Sequence, residues 1–79
     1  MTEYRYSVIY EPQVEGGFQV VFPAIPEIVT YGETLDDARK MAADALRCHL
    51  EGLAKDGEPF PLEPSALAAP VKEELAIAL

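Results

Sequence analysis

The residues with the most chemical potential in this chain are Cys48 and His49, which stand side by side. Together a thiolate and an imidazole can make an activated nucleophile. Their surroundings read as helix, however, and adjacent helix residues point about 100° apart and do not face one another. Cys48 is therefore expected to be a small buried or interface residue. His49 lies at the edge of an apolar stripe, beside Ala45 and Leu53. A general base needs a positioned partner and a cleft, so His49 reads as a structural or surface side chain. Asp37, Asp44 and Glu51 recur every seven residues and share one helix face. Metal-dependent nucleases gather carboxylates, but Lys40, Arg47 and Lys55 fall among these and describe a salt-bridged, solvated face. The spacing of Cys48, His49 and the scattered carboxylates is not that of convergent metal ligands. Gly16-Gly17 lies between two strand-like segments with no helix following, which excludes a phosphate-binding loop. No catalytic residue, metal or cofactor is assigned, and the chain is read as a non-enzyme.

The elements that would carry these residues are short strands and one helix. In residues 4–11, Tyr4, Tyr6, Val8 and Tyr10 fall on one face and Arg5, Ser7 and Ile9 on the other, the period of a strand. Glu11-Pro12 ends it, because proline cannot donate to a ladder. Val14-Glu15-Gly16-Gly17 supplies the positive φ angles of a hairpin. Phe18 to Phe22 is a second strand. Pro23 and Pro26 each push their predecessor out of the α region, so the chain turns there. Glu27 to Tyr31 reads as a short third strand closed by Gly32.

The helix signal is stronger. Thr34 is a good N-cap, Asp36 and Asp37 sit where the helix dipole favours negative charge, and Gly57 is a left-handed terminator with Pro59 beyond it. A helix is predicted from Leu35 to about Asp56. Leu35, Ala42, Leu46, Leu50 and Leu53 form the centre of its apolar stripe. Ala38, Met41, Ala45 and Cys48 add a flank, widening the apolar arc to roughly 200°, more than one sheet face needs. Two accounts of that flank stand side by side: a contact with a twin subunit or partner, or alanines that are simply good helix formers.

Residues 59–70 form a Pro- and Ala-rich connector, stiffened by Pro59, Pro61 and Pro64. Val71 to Leu79 has some helix propensity, but Leu75, Ile77 and Leu79 alternate with alanines, and strand is the reading adopted.

The chain has 79 residues, one domain at most. A chain this short buries only about 60–65% of its unfolded surface, so its core is marginal. With Cys48 the sole cysteine, no internal disulfide can compensate, and a reducing compartment fits. Oligomerisation remains as the compensating device. The start lacks the features of a signal peptide, and no apolar run approaches the ~20 residues that cross a bilayer. A soluble, cytoplasmic protein is expected. Fourteen acidic against six basic residues give a net charge of −8. Such a field repels nucleic acid, and the dispersed cations offer no footprint for it. It either serves solubility alone or favours a basic partner.

The order of these segments resembles the HicB-type antitoxin family. The resemblance is carried by Tyr6-Ser7-Val8-Ile9-Tyr10, Glu15-Gly16-Gly17-Phe18 and Phe22-Pro23-Ala24-Ile25-Pro26-Glu27. It continues through Thr30-Tyr31-Gly32-Glu33-Thr34-Leu35-Asp36-Asp37-Ala38, Ala43 to Leu46, Asp56-Gly57-Glu58-Pro59-Phe60-Pro61 and Pro64-Ser65. The resemblance implies a β-β-β-α-β domain, similar to part of a ribonuclease H fold, that forms dimers or higher oligomers. It also implies a partner, a small basic HicA-like ribonuclease that cleaves messenger RNA and whose active site the antitoxin covers. The first strand carries Tyr6, Ser7, Val8 and Ile9 rather than a metal-binding carboxylate, so the ribonuclease H likeness does not imply catalysis. Family members often add a C-terminal DNA-binding domain. Only about 14 residues follow Ser65 here, too few for one, and direct DNA binding is not expected.

The expectation is thus a single α+β domain over residues 1–79, a three-stranded antiparallel meander with one long helix packed on it and a C-terminal strand. Its expected function is to neutralise a HicA-like toxin by binding. The alternative is an orphan oligomeric module that binds another protein or a ligand. Ala38, Met41, Ala45 and Cys48 on the helix, with Leu75 and Ile77 on the last strand, are the expected oligomer or partner interface.

Overall fold

A computed structural model describes residues 2–62 and 73–79. Along the chain run β1 (Glu3–Pro12), β2 (Phe18–Val21), β3 (Val29–Gly32), α1 (Leu35–Asp56) and β4 (Glu73–Ala78). The strands form one sheet in the order β3-β2-β1-β4, every neighbouring pair antiparallel. The α+β class, the meander and the terminal strand agree with the reading from sequence. The connector beyond Leu62 and the first two residues expected in the last strand, Val71 and Lys72, lie outside the described residues.

The alternation in β1 sets the two faces of the sheet. Tyr10 pairs with Val20, Tyr6 with Leu75 and Tyr4 with Ile77. Partners across an antiparallel pair point the same way, so this face collects the apolar side chains and receives the helix. From α1 it meets Ala38, Ala42, Leu46 and Leu50, a run at the i, i+4 spacing and all fully buried. Phe22 and Ile25 are likewise fully buried. Burial of each such large side chain is worth roughly 1.5–3 kcal/mol, which for a chain this small is a substantial part of its stability.

Both helix ends are fixed by local chemistry. Thr34 is extended (φ −122°, ψ 167°) and its Oγ1 accepts a hydrogen bond from the Asp37 N–H at 3.0 Å. Gly57 adopts φ 70°, and the N–H groups of Gly57 and Glu58 return to the carbonyls of Ala54 and Leu53. After this cap the chain folds back on β1. The Tyr6 hydroxyl donates to the Pro61 carbonyl at 2.6 Å, and the Tyr4 ring stands edge-on to Phe60 with centroids 4.7 Å apart.

Several strand boundaries differ from expectation: β1 begins at Glu3 and runs through Pro12, which stands opposite Phe18, and β4 ends at Ala78. β2 stops at Val21, because Phe22 leaves the ladder and its carbonyl accepts the Ile25 N–H in a turn. A second turn follows from the Ile28 N–H to the Ile25 carbonyl, which delays β3 to Val29 and keeps Gly32 inside it. These successive turns seat Phe22, Ile25 and Ile28 in the core.

Candidate interaction surface

The face of the sheet opposite α1 is built in cross-strand rows. Glu11, Gln19 and Tyr31 form one row, and Ile9, Val21 and Val29 the next. Val29 is 76% exposed and Tyr31 47% exposed, two large side chains on neighbouring positions of one sheet face. Beside them, Gln13, Glu15, Gly16, Gln19, Val29, Thr30 and Tyr31 line an open concavity of about 490 Å³.

The β1–β2 turn shapes this concavity. Gly16 and Gly17 take φ angles of 104° and 79°, and the Gln13 N–H donates to the Gly17 carbonyl at 3.0 Å. Tyr31 lies directly over Gly17, where an added Cβ would collide with its ring and hydroxyl. That hydroxyl donates to the Gly16 carbonyl at 3.0 Å, so the turn and the middle of β3 are joined. β3 pairs with β2 on one side, and no described strand pairs with its other side. Its outer N–H and C=O groups form an open sheet edge.

Charge is distributed unevenly around the molecule. From Tyr6 to Ala38 the sequence contains Glu11, Glu15, Glu27, Glu33, Asp36 and Asp37 and no Lys, Arg or His. Arg5 is engaged by Glu3 at 2.7 Å and Glu74 at 3.1 Å on the β1–β4 side. Arg39, Lys40, Arg47 and Lys55 are on α1. The strands and turns from β1 to β3, which carry exposed Val29 and Tyr31, therefore contribute acidic side chains and, after Arg5, no basic one. The sequence held this signal in its cation-free stretch, which a net charge summed over the chain hides.

The helix side carries the residues first considered for chemistry. Asp37, Asp44 and Glu51 are exposed with Lys40, Arg47 and Lys55. Among the described residues no three or more His, Cys, Asp or Glu converge as metal ligands. Cys48 is exposed, and His49 Nε2 is 3.9 Å from a Glu27 carboxylate oxygen. Arg39 is bound by Glu73, whose carboxyl that hydrogen bond holds below its ordinary range. Tyr10 is pushed up to about 12, chiefly by burial and next by the neighbouring Glu73 charge.

The structure separates the six residues expected at an interface. Ala38 and Ile77 are buried within this chain's own core, where the helix rests on the sheet. Their side chains are covered by this chain itself. Ala45 and Leu75 are partly buried against the same core. Met41, 45% exposed, and Cys48 remain on the surface of α1. The residues sequence reasoning missed are Glu15, Gln19, Val29 and Tyr31, which only strand register brings together.

Fold and surface define a small acidic α+β domain in which one helix backs a four-stranded antiparallel sheet. Residues 6–75 match the model of the HicB_like antitoxin of bacterial toxin-antitoxin system, and the chain belongs to that family. It is 48% identical over 58 residues to Antitoxin HicB 1 of Photorhabdus laumondii, covering 73% of this chain and 37% of that protein. Antitoxin HicB of Escherichia coli K12 is 44% identical over 63 residues, covering 80% of this chain and 45% of that protein. The chain thus spans less than half the length of these curated relatives. In the crystal structure of the N-terminal domain of Burkholderia pseudomallei antitoxin HicB, the same fold recurs with a TM-score of 0.81 at 26% identity. That likeness covers 96% of this chain and 100% of the other. No helix among the described residues is long and apolar enough to cross a membrane.

Proposed function

We propose that this chain is the toxin-binding module of a toxin–antitoxin pair, acting in the cytoplasm without catalysis of its own. Its partner in this reading is a small basic HicA-like ribonuclease that cleaves messenger RNA, and neutralisation consists of covering that enzyme's active site. Membership of the antitoxin family supports the reading. The observation that carries it to a basic partner is the cation-free acidic stretch from Tyr6 to Ala38, whose charge would steer a cationic protein and penalise an anionic one. Self-association through the exposed Met41 and Cys48 of α1 is a further part of the same reading.

The test is complex formation between the purified chain and a basic HicA-like ribonuclease from the same genome, followed by light scattering at low and high salt. A complex that forms readily at low ionic strength and weakens as salt screens the charges is expected. Absence of a complex at every salt concentration would contradict the reading.

A further inference from the structure

We infer that the open edge of β3 and its adjoining concavity take an extended basic segment of the partner protein, added as a fifth strand beside β3. The inference rests on the reading of this chain as a module that binds a basic protein, and assigns that binding to one place.

Three observations converge there. The edge strand Val29–Gly32 has no described neighbour on its outer side, so its free N–H and C=O groups can continue the ladder. Val29 and Tyr31 present their side chains on the face away from α1, bordering the concavity beside Glu15, Gln13 and Gln19. An arginine or lysine on the incoming strand would lay its aliphatic stem along Val29 and its charge against the Tyr31 ring and the Glu15 carboxylate. The Tyr31 hydroxyl, already bonded to Gly16, holds the ring in place before any partner arrives.

Charge selects the occupant. A second copy of this chain, edge to edge, would bring together two β3 edges whose flanking segments contribute Glu15, Glu27 and Glu33 and no Lys or Arg. Nucleic acid would meet the same carboxylates with its phosphates. A cationic polypeptide meets complementary charge and an unfilled ladder together.

The experiment is an amide NMR titration of the full chain with an acetylated nonapeptide alternating arginine and valine. Two control peptides accompany it. One carries glutamate for arginine, and the other, equally charged, is N-methylated at every peptide nitrogen and cannot donate to a ladder. The expected result is shifts concentrated at Val29–Gly32 and Gln13–Gly17 for the arginine–valine peptide alone. Glu15→Lys, at an exposed turn, should weaken the apparent affinity about three- to fivefold, as an exposed charge pair does. Val29→Lys should weaken it further, and each variant's unchanged spectrum elsewhere would show that it is folded. Shifts on α1, an equal response to either control, no binding, or concentration-dependent shifts at Val29–Gly32 in the free chain, the mark of a second copy at that edge, would each overturn the inference. Full ribonuclease inhibition by both variants would overturn this site and leave the antitoxin reading standing. Localised peptide binding by a chain that never inhibits the ribonuclease would overturn the antitoxin reading instead.

Discussion

The Arg39 guanidinium grips both carboxylate oxygens of Glu73, with Nη2 donating to Oε1 at 2.6 Å and Nε to Oε2 at 3.4 Å. This contact links the helix to the first residue of β4, across 34 positions of sequence. The same guanidinium stands 6.0 Å from the centre of the Tyr10 ring. One cationic side chain thus ties together the helix, the central strand and the terminal strand.

A pH dependence follows from its sign. Glu73 is held below its ordinary value of 4.5, first by the hydrogen bond from Arg39. Its contribution is therefore fully present above that value and is lost as pH falls through the lower folded-state value. Both partners are about two-fifths exposed, so the effect is small. Melting midpoints of wild type and Glu73→Gln are expected to differ by a few degrees at most near neutrality and to converge as pH falls through the depressed folded-state value. A gap of constant size down to pH 2 would show that the ion pair contributes nothing.

Tyr10 titrates in the opposite sense. Its folded-state value of about 12 exceeds the ordinary 10.0, because burial and Glu73 disfavour the phenolate. The folded state therefore holds this proton more tightly than the unfolded chain does, and stability is lost as pH climbs from 10 to 12. Ultraviolet titration should show a phase near pH 12 that is lost in Tyr10→Phe. Ionisation of all four tyrosines near pH 10 in the folded protein would contradict the assignment.

The seam between α1 and β3 is set by Gly32. A Cβ at this position would run into the backbone of Asp37 and Ala38, which cannot yield as a flexible side chain can. Gly32→Ala should therefore lower stability by about 1–3 kcal/mol, the range of core overpacking. Leu46→Ala, which empties a fully buried site, should cost about 2–5 kcal/mol and leave little of a small domain folded. Chemical denaturation followed by circular dichroism measures both. A Gly32→Ala protein as stable as wild type would mean that helix and strand can separate freely.

The helix was legible in the sequence because its determinants are local. Thr34 and Gly57 cap it where their residue types predict, and the i, i+4 run from Ala38 to Leu50 defines its buried side. Strand boundaries were less legible. Glu27 and Ile28 have the neighbours of a strand, but two successive turns from Phe22 to Ile28 hold the chain out of the ladder. The helical wheel puts Ala38 on an outer flank, yet the sheet reaches it, because Gly32 has no side chain to keep the helix away. The concavity at Tyr31 depends on register between β1, β2 and β3, and residues as distant as Glu15 and Val29 meet only once that register is fixed.

The central claim is that this chain neutralises a basic ribonuclease by binding alone. Its most direct test is titration of the chain into an RNA-cleavage assay containing a basic HicA-like ribonuclease from the same genome, with no DNA present. If binding covers the active site, cleavage is expected to fall linearly and end at a fixed stoichiometric ratio. Undiminished cleavage at a large molar excess of folded chain would contradict the claim.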